Sequence, residues 1–179
     1  MANQAFIDGQ NLQLGTTQAR PAWKVDLDRF RVYLRDKYDV EEAYYFMGAY
    51  DARYQDLYNA IQRFGYIITF REHAESSVSK KKGNVDTDVV FAIMKKLVEK
   101  EKFDKVILVS GDGDYWRMVD YLITISRFGK LLVPNKRSVS SLYKTRTPDI
   151  YRDYLDSDPI KKKIIYKSKP TQIKKAGSP

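Results

Sequence analysis

The sequence predicts an α/β fold: a mostly parallel sheet covered by helices on both faces. Three observations lead there. Strand-like and helix-like segments alternate along the chain, an aromatic-rich run has the character of a buried strand, and glycine or proline stops several elements.

Ala5–Asp8 is a short strand ending at Gly9. Val25–Tyr38 places Leu27, Phe30, Tyr33 and Leu34 at helical spacing. Glu42–Tyr50, with its run AYYFMGAY, predicts a buried strand, and Ala52–Phe64 a helix stopped by Gly65. Tyr66–Arg71 is the next strand, followed by a polar loop to Gly83 that contains SVSKKKG. Val85–Glu101 is a helix and Lys105–Val109 a strand. Tyr115–Phe128 is a helix ended by Gly129, and Lys130–Val133 a last short strand closed by Pro134. In open parallel sheets ligands bind beyond the carboxyl ends of the strands, so residues following strands are the first place to look for chemistry.

A chain of 179 residues suits one domain, expected over 1–158, with a basic, disordered tail over 159–179. The absence of cysteine excludes disulfide scaffolds, thiolate nucleophiles and zinc ribbons, and the single His73 excludes a multi-histidine metal site. No apolar run approaches a membrane span and the N-terminus has no signal-peptide pattern, so a cytoplasmic protein without a membrane partner is expected. The net charge of +9 is uneven. Seven lysines and no acid lie between Ile160 and Pro179, leaving 25 basic against 23 acidic side chains before them. The tail is therefore a candidate clamp on a polyanion, or a solubilising terminus.

The acids are more specific. Asp8 follows the first strand, while Asp112 and Asp114 follow the strand in KVILVSGDGDY, so parallel strands bring all three to one sheet edge. Gly9, Gly111 and Gly113 are expected to let the backbone turn there. Asp and Gly are also ordinary turn formers, but crowded carboxylates repel unless a cation sits among them. At about 100° per residue, Asp86 falls on the helical stripe of Val89, Val90, Ile93 and Leu97. A carboxylate on an apolar face needs a cation, hydrogen bonds or a capping role, whereas Asp88 points the other way, toward water. Hard oxygen ligands without His or Cys suit Mg²⁺ or Mn²⁺, and DGDYW lacks the offsets of an EF-hand loop.

FIDGQNL, KKGNVDTDVV and VILVSGDGDYWRMVDYL with its following GK resemble, in that order, the NYN domain, the LabA-like branch of the PIN-like nuclease superfamily. The likeness spans Ala5 to Val133. It implies a Rossmann-like (PIN-like) sheet, a Mg²⁺ or Mn²⁺ site and RNA as substrate, with DNA left open. By motif match Asp8, Asp86, Asp112 and Asp114 are the metal-binding and catalytic acids, and Asn11 and Ser110 are polar positions lining the cleft. Relatives carry a further Asp six residues after the position of Asp86, where this chain has Ala92.

Lys80, Lys81 and Lys82, and Lys161, Lys162 and Lys163 in the tail, are candidate nucleic-acid contacts or solvated lysines. Tyr50, Tyr54 and Tyr58 can stack on bases or simply pack, Trp116 is expected beneath the acidic turn, and His73 has no identifiable catalytic partner. The expected activity is metal-dependent endoribonuclease cleavage. The ion would be held by Asp8, Asp86 and Asp112, with Asp114 a further ligand or a water-orienting base. The alternative is a non-catalytic RNA-binding or regulatory module on the same fold, favoured by Ala92 and the near-neutral core; a homodimer is compatible with either.

Overall fold

A computed structural model describes residues 1–71 and 85–167. Thirteen strands and helices are present among the described residues: β1 (Asn3–Asp8), α1 (Gly9–Thr17), α2 (Leu27–Tyr38), β2 (Val40–Met47), α3 (Gln55–Arg63), β3 (Ile67–Phe70), α4 (Asp86–Val98), β4 (Val106–Val109), α5 (Trp116–Thr124), β5 (Phe128–Val133), α6 (Ser141–Arg146), β6 (Arg152–Tyr154) and α7 (Asp158–Ile164). The six strands form one sheet in the order β3-β2-β1-β4-β5-β6, and every neighbouring pair is parallel. The α/β fold read from the sequence is the observed one.

Burial follows the two-residue period of the strands. Ala5 and Ile7 of β1, with Ile107 and Val109 of β4, face a core built with α1, α2, α3 and α7. Phe6, Val106 and Leu108 face the opposite core, under α4, α5 and α6. A strand buried on both sides can be apolar at every position, which is why β4 reads VILV. Helix ends are set by local chemistry. Asp26 caps α2 by accepting from the Arg29 N–H, and Asp39 ends the helix in the left-handed region. Gly65, at φ +88°, makes the turn from α3 into β3. No helix among the described residues is long and apolar enough to cross a membrane.

Several expectations need correction. Lys130–Val133 is not the last strand: β6 adds a three-residue edge strand whose sequence, RDY, has no strand pattern of its own. α1 and α6 were also absent from the sequence reading. The basic segment is not a disordered tail from residue 159. Pro159 sits in the first turn of α7, Ile160 and Ile164 are buried against α2, and Ile165 bridges Val25 in antiparallel fashion. Lysine composition masked two buried isoleucines at helical spacing. Residues 168–179, with the rest of the lysines, lie outside the described residues, as do His73 and Lys80–Lys82.

Truncation separates these parts. Ile164→Ala is expected to cost about 2–5 kcal/mol in urea unfolding, as for other buried large-to-small changes. Removing 160–179 should destabilise at least as much, since that cut takes Ile160 as well as Ile164.

Candidate functional site

The strand order reverses at β1: β2 and β3 extend to one side of it, β4 to β6 to the other. Loops leaving β1 and β4 therefore diverge and open a crevice at the carboxyl edge of the sheet. Asp8 ends β1, and the segment Ser110–Asp114 leaves β4, so both acidic turns flank this crevice. None of Gly9, Gly111 and Gly113 has positive φ. Gly9 is needed for close approach instead: a Cβ there would lie 2.5 Å from the Tyr45 ring and 2.7 Å from the Phe46 carbonyl oxygen. A Cβ on Gly113 would collide with the Ser140 side chain.

Asp8 is buried, 4% exposed, and caps α1: its Oδ1 accepts from the Asn11 N–H at 2.9 Å. Its Oδ2 lies 3.1 Å from the Tyr115 hydroxyl. That hydroxyl also lies 2.6 Å from Oδ1 of Asp86, the first residue of α4, itself only 8% exposed. Asp86 follows the N-cap residue Val85, and no capping bond from it is made among the described residues, so its burial on the apolar face is what needs explaining. Tyr115 is fully buried, and burial together with the charges of Asp8 and Asp86 keeps its phenol protonated far above the usual range. Burial also raises the Asp8 carboxyl, opposed by the hydrogen bonds from Asn11 and Tyr115 and reinforced by Asp86 and Asp112. A phenol has one hydrogen to donate, so it cannot satisfy both carboxylates at once.

One carboxylate oxygen from each of Asp86, Asp112 and Asp114 lies within 4.8 Å of the others. Asp112 is half-buried and accepts from the Asp114 N–H at 3.0 Å, which folds the turn so that the exposed Asp114 joins the group. Among the described residues no Lys or Arg pairs with any of the four acids. Three crowded oxygen donors without a cationic side chain fit a hard divalent ion. Asp8 stands behind this trio, joined to it through Tyr115.

A frame of hydrogen bonds holds the turn. Asn11 Oδ1 accepts from the Gly111 N–H at 2.8 Å, Ser110 Oγ accepts from the Asp112 N–H at 3.1 Å, and the Tyr143 hydroxyl donates to the Asp112 carbonyl at 2.8 Å. Ser110 is fully buried beneath the loop. Beside Asp112 and Asp114 opens a cleft of about 460 Å³, walled by Asn11, Gln18, Ser138, Ser140 and Leu142.

Of the residues singled out in the sequence, the four acids, Asn11 and Ser110 converge at this edge. Lys161, Lys162 and Lys163 do not: Lys161 Nζ lies 5.1 Å from the Trp23 ring, and the other two line a separate hollow against α2 with Asp28 and Asp36. Asp88 is half-buried, not turned to water, and its Oδ2 has no hydrogen-bond partner; no contact among the described residues explains it. Trp116 packs against the second core with the Arg146 guanidinium 5.1 Å from its ring. Tyr115, Tyr143, Ser138 and Ser140 were missed. Tyr115 had a signal, an aromatic directly after the acidic turn; the other three lie where no periodicity marks an element.

The sequence model of the NYN domain family matches residues 4–139. The chain is 28% identical over 126 residues to the low amplitude and bright protein LabA of Synechococcus elongatus. That alignment covers 65% of this chain and 65% of the relative, just under two thirds of its length. A crystal structure of a protein of unknown function from Vibrio parahaemolyticus superimposes with a TM-score of 0.69 at 19% identity. It covers 92% of this chain and 96% of that one, and shows the same fold.

Asp8 and Tyr115 lead to opposite thermal shifts. The raised Asp8 carboxyl is a penalty absent below its unfolded pKa and fully present above its folded one. Asp8→Asn should therefore raise Tm at pH 7 without divalent metal, since the amide keeps the Asn11 bond and donates to Tyr115. Tyr115→Phe should lower Tm, leaving two buried carboxylates short of a donor, at a cost of about 1–3 kcal/mol. Differential scanning fluorimetry in EDTA reads both; shifts of the same sign would contradict the shared-hydroxyl arrangement.

Proposed function

Because the chain belongs to the NYN domain family, a branch of the PIN-like nucleases, we propose that it hydrolyses phosphodiester bonds of RNA using Mg²⁺ or Mn²⁺. The observation that carries this reading is the convergence of Asp86, Asp112 and Asp114, which no Lys or Arg among the described residues pairs with. These three acids would hold the ion. When bound, a divalent cation supplies an activated water and neutralises charge developing on the phosphodiester.

The protein's own groups divide the remaining work. Tyr115 fixes the Asp86 carboxylate, and Asp8 holds the other side of that hydroxyl, so both act as positioning residues. Asp114, exposed at the cleft, orients the attacking water. Asn11 and Ser110 keep the turn in shape by accepting backbone N–H groups. The cleft beside Asp112 and Asp114 takes the strand, with Ser138, Ser140 and Gln18 as neutral hydrogen-bonding walls. Lys161, Lys162 and Lys163, on a second face of the molecule, would add long-range attraction for the polyanion.

The alternative, a module that binds RNA without cutting it, draws on Ala92, which is partly buried against the second core at the position where the family resemblance implies a further Asp in many members. The trio nevertheless closes without that position.

Labelled single-stranded RNA with Mn²⁺ separates the two. Wild type should cleave, and Asp112→Asn should be slower by about 10²–10³-fold, the scale of losing one charge-stabilising group. Equal cleavage by both would overturn the assignment. RNA binding without cleavage by either would establish the non-catalytic module.

A further inference from the structure

The same edge of the sheet carries a group of aromatic rings that the acid site does not use. Asp8 of β1 is in register with Phe46 of β2, and Phe46 with Thr69 of β3. Just beyond, β2 and β3 end at the paired residues Met47 and Phe70. Tyr50, Tyr58 and Phe70 cluster here, with ring centroids 5.5 Å apart for Tyr50–Tyr58 and Tyr50–Phe70, and 4.7 Å for Tyr58–Phe70. Tyr58 is buried, yet Tyr50 is 53% and Tyr54 52% exposed.

These exposed rings are held in place. The Tyr50 hydroxyl donates to Gln55 Oε1 at 2.7 Å, and the Asp51 N–H donates to the Tyr58 hydroxyl at 3.2 Å. The Asp51 carboxylate accepts from the Arg53 N–H at 3.0 Å and pairs with its guanidinium at 2.6 Å. The Arg53 guanidinium in turn lies 5.8 Å from the centre of the Tyr54 ring. Two flat apolar surfaces and a cation are thus presented on a turn that has already lost its freedom, so binding costs little further ordering. Packing alone explains Tyr58 and Phe70 but not half-exposed rings at both ends of the turn. Three strand spacings of about 4.8 Å, from β3 across β2 and β1 to β4, put Phe70 on the order of 15 Å from the turn that carries Asp112 and Asp114.

We propose that Tyr50 and Tyr54 form a base-stacking subsite for single-stranded RNA, seating unpaired bases that flank the phosphate at the acid cluster. The proposal rests on the nuclease reading above. Bases in a duplex have their faces covered by neighbours, so the subsite selects single strands over duplex.

The test is fluorescence anisotropy of a labelled oligoadenylate RNA and of a perfect RNA duplex, in buffer containing Ca²⁺. Tyr54→Ala should weaken single-strand binding by about 5- to 150-fold, the range for losing one stacked base, and adding Tyr50→Ala should weaken it further. Duplex binding should be unchanged, and Tyr54→Phe, which keeps the ring, should bind as wild type. Tyr54→Ala leaves the Tyr50–Tyr58–Phe70 cluster whole, so its effect cannot be one of misfolding. Wild-type affinity in both alanine variants overturns the subsite while leaving the nuclease reading intact, and so does an equal loss on single strand and duplex. A wild type that binds neither RNA overturns both.

Discussion

The hydroxyl of Tyr115, placed between the carboxylates of Asp8 and Asp86, is the interaction on which the acidic edge depends. It ties together residues from three places in the chain: the end of β1, the start of α4 and the turn after β4. Because one hydrogen is shared by two buried carboxylates, the arrangement is short of positive charge and of donors. The remaining negative charge faces Asp112 and Asp114. A folded domain that gathers this many acids at the switch point of its sheet, with no Lys or Arg among the described residues paired to them, sacrifices stability there, a pattern expected of functional sites rather than of scaffold.

The geometry also sorts four similar residues. Asp8 ends the first strand and is the acid most easily found by reading the chain, yet it lies behind the group. Asp114, on an exposed turn, completes the trio with Asp86 and Asp112. The difference is one of local backbone: Asp112 caps the turn that follows it and draws Asp114 inward. Strand ends are legible from hydrophobic runs, but where a side chain goes within a turn depends on hydrogen bonds that no periodicity encodes.

The same distinction runs through the fold. Helices α2 to α5 were legible because their apolar positions recur at helical spacing, and β2 and β4 because they carry continuous apolar or aromatic runs of strand length. The helix stripe explains the burial of Asp86, since on the helical wheel it lies between Ile93 and Leu97, in the middle of the apolar face. α1 was hidden by its mixed sequence GQNLQLGTT, and β6 by being three residues long and polar. α7 was hidden by lysines that surround Ile160 and Ile164. Tyr115 was visible as a residue but not as a ligand to two acids, because that role appears only when α4 is packed over β1.

The central claim is that Asp86, Asp112 and Asp114 together hold one divalent cation. Anomalous diffraction from crystals soaked in Mn²⁺ tests it without reference to any substrate. A single strong manganese peak is expected among the three carboxylates, with at least one oxygen of each within about 2.0–2.6 Å, the range of hard-cation bonds to oxygen. A peak elsewhere on the molecule, or none at this edge in well-occupied crystals, would contradict it.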